Sequence, residues 1–328
     1  MEDDGSLRLV TKAARLYHSH GLRQTEIAQR MGISQSKVSR LLQEAADAGI
    51  VRTVVATPLH IHAEIEEQIE QKYGLTEVHI IETVGDDDLE IMHDLALAAA
   101  EILDQVSQES PTVAWTSWSR TLRATVDALL PLHIGTVTVV EMVGDLGSPA
   151  LQHECARSTQ KLATMLGAEP IFLRTPGVVP TAAVAQALVG QDGYARRALD
   201  LLDSIDLALV SIGDIEPSAP LEPGHNFFTA EQLHSVRNAG AVGEVCLRFI
   251  DAHGKPVKSE LDELTIGVTL DQLSHARRRW AVTGGGRKLA AVRAALLGGW
   301  VDVLVTDLAT ARLLVKDADA PRSSRASR

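Results

Sequence analysis

From Glu77 to Lys316 the chain alternates short, continuous apolar runs with longer amphipathic ones. An apolar run without polar interruption reads as a strand buried on both faces, and helical stretches between such strands act as crossovers. Strands are expected at 78–82, 112–116, 137–143, 171–173, 207–212, 243–249 and 302–306. Helices are expected at 89–106, 121–130, 150–166, 182–189, 289–297 and 309–316. That order implies an α/β body, a doubly wound and mainly parallel sheet with helices on both faces. In such sheets ligands bind beyond the carboxyl ends of strands, where helix starts present unsatisfied N–H groups that attract anions.

The residues ahead of this pattern follow another rule. The chain has 328 residues and a net charge of −12, and two domains are expected at this length. Residues 7–55 carry eight basic side chains against three acidic ones, a net +5, which leaves −17 for the rest. A basic head on an acidic body is what a nucleic-acid reader joined to a sensing or catalytic domain would look like, with a solvated face carrying excess arginine as the plainer, less favoured alternative. No apolar run approaches the ~18 residues of a membrane helix, and the acidic start Met1-Glu2-Asp3-Asp4 is unlike a signal peptide, so a cytoplasmic protein is expected. Cys155 and Cys246 fit no metal-ligand spacing and no disulfide framework, and are read as small buried apolar residues. No metal site and no cofactor are expected.

Within the head, Leu7, Val10, Ala14 and Tyr17 form one helical stripe that ends at Gly21. In the segment Gln24 to Leu41, Thr25 is suited to cap a short helix and Glu26 to sit in its first turn, where the helix dipole favours negative charge. Gly32 then permits a sharp turn, and Ser34 is suited to cap a second helix. On that helix Val38, Leu41, Leu42 and Ala45 share one arc, while Gln35, Ser36, Ser39, Arg40 and Gln43 face the other way with Lys37 at the edge. This pattern matches a helix-turn-helix, and the outer arc holds hydroxyls, amides and a guanidinium able to read base edges and grip phosphates. A polar-surfaced helical hairpin is the plainer alternative. Residues 50–55 are read as a short strand, a wing from which Arg52 would reach phosphate. Ile61, Ile65, Ile69 and Tyr73 recur every four residues on a connecting helix, which either lies against the body or pairs with its copy.

Three strand-to-helix junctions are suited to holding a ligand. The first, Val113 to Leu122, crowds Thr116, Ser117, Ser119, Arg120 and Thr121 at a helix start. The second, Ala281 to Leu289, brings Gly285 and Lys288 together without the pattern of a Walker A loop. The third, Val143 to Pro149, contains Asp145 and ends with a capping serine and a proline. Tight turns without a ligand would use the same glycines.

With these segments in hand, the chain resembles the SorC family of sugar-binding transcriptional regulators. The resemblance rests on Trp118-Ser119-Arg120-Thr121-Leu122, Gly240-Ala241-Val242-Gly243, Phe249-Ile250-Asp251-Ala252-His253-Gly254, Gly285-Gly286-Arg287-Lys288 and Val305 to Ala311, in the family's order. It implies residues 1–57 as a helix-turn-helix DNA-binding domain, 58–74 as the connecting helix and 75–317 as a sugar-binding effector domain, while the tail 318–328, with Arg322, Arg325 and Arg328 among serines, is expected from its composition to be disordered. The effector domain would share the fold of glucosamine-phosphate deaminase and ribose-phosphate isomerase. By the same resemblance, a sugar, sugar alcohol or sugar phosphate would alter the affinity of a homo-oligomer, dimer or tetramer, for double-stranded operator DNA. Thr25, Ser34, Gln35, Ser36, Lys37, Ser39, Arg40, Gln43 and Arg52 are the DNA-binding candidates. Ser117, Ser119, Arg120, Thr121, Asp145, Asp251, Gly285 and Lys288 are the effector-binding candidates, with Asp251 accepting from hydroxyls and Lys288 donating to oxygens. Phosphate-binding members often have glycine just after the tryptophan, where Ser119 stands here, so an unphosphorylated polyol remains open. The competing function is a sugar-phosphate isomerase or deaminase with a regulatory head. No local acid and base constellation supports it.

Overall fold

The computed structural model describes residues 3–51, 62–85, 87–104, 110–131, 135–191, 193–217, 221, 222, 224 and 226–316. They fall into two compact units, 1–56 and 57–328. Arg52, most of the expected wing strand and the tail lie outside the described residues.

The first unit is three helices: α1 (Asp3–Ala14), extended by a π-helical turn at Arg15–Ser19, then α2 (Gln24–Met31) and α3 (Gln35–Asp47). Gly32 sits at φ +65°, a left-handed conformation that costs glycine nothing and lets α2 stop where α3 must turn away. Ile27, Ala28, Val38 and Leu16 share one buried cluster, and Val10, Ala13, Ala14, Leu41 and Ala45 share another. Ala28 is small where the helices meet. Ser34 caps α3, its Oγ accepting from the Lys37 N–H at 3.3 Å. Thr25 does not cap α2, which begins one residue before it; the Arg23 N–H donates to Glu26 Oε2 at 2.7 Å and closes that end.

The second unit opens with α4 (Ala63–Tyr73) and β1 (Glu77–Ile81). It continues through α5 (Asp88–Asp104), β2 (Thr112–Trp115), α6 (Arg120–Ala128), β3 (Thr138–Glu141), α7 (Pro149–Leu166), β4 (Glu169–Ile171), α8 (Ala182–Gln191) and α9 (Gly193–Leu201). Then come β5 (Leu207–Val210), β6 (Ile212–Gly213), α10 (Ala230–Asn238), β7 (Ala241–Val245), β8 (Arg248–Asp251), α11 (Leu261–Leu264) and α12 (Leu270–His275). The last elements are β9 (Arg278–Val282), α13 (Leu289–Leu297), β10 (Val303–Asp307) and α14 (Leu308–Lys316). Seven strands form one parallel sheet in the order β1-β10-β9-β5-β2-β3-β4, the mainly parallel α/β body expected from the sequence, with β9 an added strand that no apolar run marks. Val113 and Trp115 of β2 enter one core with α5 and α6, while Ala114 enters the opposite core with α13 and α14, so the strands have no solvent face.

Two of the expected strands differ from the structure. The run 207–212 is split, because β5 ends at Val210 and β6 leaves the main sheet to pair antiparallel with β7. The run 243–249 is a hairpin, β7 and β8, whose turn is Cys246-Leu247 at φ +51° and +64°. Asparagine and glycine are the usual residues of such turns, so an apolar pair left no turn signal. Gly243 has its own reason: a Cβ there would lie 2.4 Å from that of Ala291, so only glycine lets α13 rest on β7.

The connecting helix α4 lies against the body. Ile69 and Tyr73 are buried, Lys72 Nζ donates to the Leu314 and Val315 carbonyls at 2.9 Å, and Tyr73 Oη donates to the Leu314 carbonyl at 3.1 Å. On its other side Glu70 Oε1 accepts from the Val78 N–H and Glu66 Oε1 from the Ile80 N–H, both at 2.9 Å. β1 is an edge strand, and these two carboxylates satisfy N–H groups that no neighbouring strand meets.

Candidate functional site

The strand order reverses direction at β2: β3 and β4 follow on one side, and β5 with β9 on the other. This is the switch point at which open α/β sheets bind ligands, since successive loops diverge there and leave a crevice. A cavity of about 160 Å³ occupies it. The loop after β2 contributes Trp118, Ser119, Arg120 and Thr121; the segment after β5 contributes Ser211, Asp214 and Glu216; the turn after β9 contributes Gly284, Arg287 and Lys288. The start of α5 adds Asp88 and Met92, and the β7–β8 hairpin adds Glu244, Leu247 and Phe249. Drug-sized ligands occupy roughly 300–1,000 Å³, so this cavity suits a smaller molecule.

Three buried polar atoms of the lining, Trp118 Nε1, Ser211 Oγ and Asp214 Oδ1, have no hydrogen-bond partner among the described residues. Buried polar groups are nearly always paired, so three orphans on one cavity leave three hydrogen-bonding positions open toward its interior. The first is a donor only, the last an acceptor when ionised, and serine is either. Burial lowers the pKa of the Lys288 ammonium against the pull of Glu244. Burial also pushes the Glu244 carboxyl up to about 7, against the Leu247 N–H that donates to it at 2.5 Å and the Lys288 charge, with Asp214 adding to the rise. Arg287 reaches Asp214 at 3.5 Å and Asp88 at 3.8 Å.

Of the expected effector residues, Ser119, Arg120, Thr121 and Lys288 line this cavity. Ser119 also caps α6, its Oγ accepting from the Leu122 N–H at 3.4 Å. The other four are elsewhere. Ser117 is buried and is not part of the cavity lining. The Gly285 N–H is turned inward to Asp307 Oδ2 at 2.8 Å. Asp145 pairs with Arg174 at 2.6 Å, and Asp251 Oδ1 accepts from the His253 and Lys255 N–H groups at 2.8 and 2.9 Å, which closes a turn. Glu244, Asp214, Asp88 and Arg287 were not singled out from sequence. The one available hint was an acidic residue inside the apolar run 241–250.

In the head, Thr25, Ser34, Gln35, Ser36, Lys37, Ser39, Arg40 and Gln43 are all exposed. Lys37 and Arg40 have no ion-pair or hydrogen-bond partner for their side chains among the described residues, while the Gln43 amide donates to Asp47 at 2.9 Å. Among those residues no cluster of His, Cys, Asp and Glu is placed to hold a metal ion, and no helix is long and apolar enough to cross a membrane.

Comparison with known proteins assigns both units. Residues 58–316 match the family model described as "Putative sugar-binding domain", and residues 14–58 match that of the MarR family. The chain belongs to the SorC family of sugar-binding transcriptional regulators. It is 32% identical over 310 residues to the "Deoxyribonucleoside regulator" of Bacillus subtilis (strain 168), covering 94% of this chain and 98% of that one. It is 25% identical over 315 residues to the "Erythritol catabolism regulatory protein EryD" of Brucella abortus (strain 2308), covering 95% and 98%. The crystal structure of the full-length sorbitol operon regulator SorC from Klebsiella pneumoniae superposes with a TM-score of 0.73 at 26% identity, covering 94% and 99%. The family's architecture, a helix-turn-helix ahead of a mainly parallel α/β domain, is thus the architecture described above.

Proposed function

We propose that the protein is a non-enzymatic repressor or activator of sugar or sugar-alcohol catabolism whose grip on operator DNA is set by one small polyol or sugar phosphate in the 160 Å³ cavity. The observation that carries this reading is the set of three orphaned polar atoms around a cavity of monosaccharide size at the switch point of the sheet. Trp118 Nε1 donates to an effector oxygen, Asp214 accepts from a hydroxyl, and Ser211 adapts to either. Lys288 and Arg120, with the start of α6 at Ser119 and Thr121, take the more anionic end, a phosphate where there is one. Relatives named for a deoxyribonucleoside and for erythritol support effectors of this size.

The outer face of α3 reads the operator. Gln35, Ser36, Ser39 and Gln43 face base edges, Lys37 and Arg40 grip phosphates, and Thr25 and Ser34 flank them, with Arg52, expected from the sequence alone, as a further phosphate contact. A homo-oligomer presents two such heads to paired half-sites. Effector and operator are linked through the protein, so each changes the other's affinity by the same factor.

A thermal-shift screen of sugars, sugar alcohols and their phosphates tests the reading, since a ligand of the folded state raises the melting temperature. A hit should shift operator binding, and Lys288→Ala should blunt that response while operator binding without effector persists. Absence of any hit, or a hit that leaves operator affinity unchanged, refutes it. Glu244 and Lys288 are a buried acid and base in one cavity, so turnover of a sugar phosphate by the purified chain would establish the enzymatic alternative instead.

A further inference from the structure

Helix α8, Ala-Ala-Val-Ala-Gln-Ala-Leu-Val-Gly-Gln, has no charged side chain and no fully buried residue among those described. Ala185, Leu188 and Val189 pack half-buried against the core, which leaves Ala183, Val184, Ala187 and Gly190 exposed with Gln186 as the one polar side chain among them. A helix this apolar and without a charge is ordinarily covered on more than one side, because each exposed apolar face of it gives up the stabilisation of burial. Beside this helix runs an apolar groove of about 610 Å³ between α8, α9 and α11. Its walls hold Arg196 on α9 and Glu263 on α11. Both are exposed, and among the described residues neither side chain has an ion-pair or hydrogen-bond partner.

Those two charges identify what fits. A basic partner would oppose Arg196 and an acidic one, a nucleic acid included, would oppose Glu263. An isologous two-fold contact must be complementary to itself, and an apolar groove with one unpaired charge of each sign on its walls has that property. We propose that the α8 face is an interface with a second copy of this chain, arranged about a two-fold axis that sets Arg196 of each copy against Glu263 of the other. Val184, 38% exposed, and Tyr194, 81% exposed at the start of α9, are the apolar anchors of the contact. The proposal is independent of what the switch-point cavity binds.

Sedimentation velocity of the full chain tests it, with wild type, Ala187→Glu, Arg196→Glu, Glu263→Arg and the double reversal Arg196→Glu/Glu263→Arg. Wild type should be dimeric or larger, each single variant should show half the wild-type mass at the same concentration, and the double reversal should recover the full mass. Recovery also excludes misfolding as the cause of the single-variant losses, since a second reversal would not refold a damaged chain. A monomeric wild type, unchanged masses in the single variants, or losses that the double reversal fails to recover would each overturn the assignment.

Discussion

Replacing Glu244 with glutamine should stabilise the second unit at pH 8 and leave it little changed at pH 5. Burial raises this carboxyl from an ordinary 4.5 to about 7. The folded state therefore holds a proton that the unfolded state releases between those values. The stability contributed by a raised carboxyl is fully present below the unfolded value, declines through the window and is gone above the folded one. Each tenfold difference in proton affinity is worth 1.36 kcal/mol, so the whole window amounts to roughly 3 kcal/mol at most. Glutamine keeps a carbonyl for the Leu247 N–H, whose donation to Glu244 spans 2.5 Å, and never ionises. Urea unfolding followed by tryptophan emission isolates the effect, because Trp115, Trp118, Trp280 and Trp300 all belong to the second unit. Titrations elsewhere cancel when the variant is compared with wild type at each pH. The variant's advantage should grow by most of those ~3 kcal/mol between pH 5 and pH 8. An advantage that stays constant across that range would refute the argument that burial holds the proton on Glu244.

Other substitutions probe neighbouring claims. Gly213→Ala would put a Cβ 2.2 Å from Glu244 Oε1, so it should cost roughly 1–3 kcal/mol in urea unfolding, and Gly213→Ala/Glu244→Ala should recover part of the loss; no recovery would mean the clash is not with Glu244. Asp251→Ala should lower stability by ~1 kcal/mol through its two lost turn bonds and leave effector titrations unchanged; an affinity loss without a stability loss would return Asp251 to the ligand. Arg40→Ala should weaken operator binding and reduce the log–log salt slope by about 1, and an unaltered slope would mean that Arg40 does not touch phosphate.

The α/β class and the two-helix reader were legible because each depends on a period: apolar runs for a sheet covered on both faces, and the register of Ile27, Ala28, Val38 and Leu41 around Gly32. What escaped depends on pairings that no period encodes. β9 begins Arg278-Arg279 and gave no strand signal. In the structure Arg278 pairs with Glu77 and Arg279 with Asp302, whose partners lie 201 and 23 residues away. The hairpin turn was hidden because Cys246 and Leu247 are buried and apolar where exposed asparagine and glycine are usual. Half of the cavity escaped for a related reason. Ser119, Arg120, Thr121 and Lys288 sit in local clusters at helix starts, whereas Asp88, Asp214 and Glu244 reach the same space singly from three distant segments. Asp145 and Asp251 stood in equally polar junctions, yet backbone N–H groups and Arg174 already occupy them.

The pair of glutamates on α4 has a practical outcome for anyone trimming the chain. Cutting at the start of β1 to isolate the effector-binding unit would strip Glu66 and Glu70 from Val78 and Ile80, and bare main-chain donors along an apolar border would then be free to recruit strands from other molecules. A fragment beginning before Ala63 should stay dispersed, and one beginning at Glu77 should form thioflavin-positive aggregates as its concentration rises.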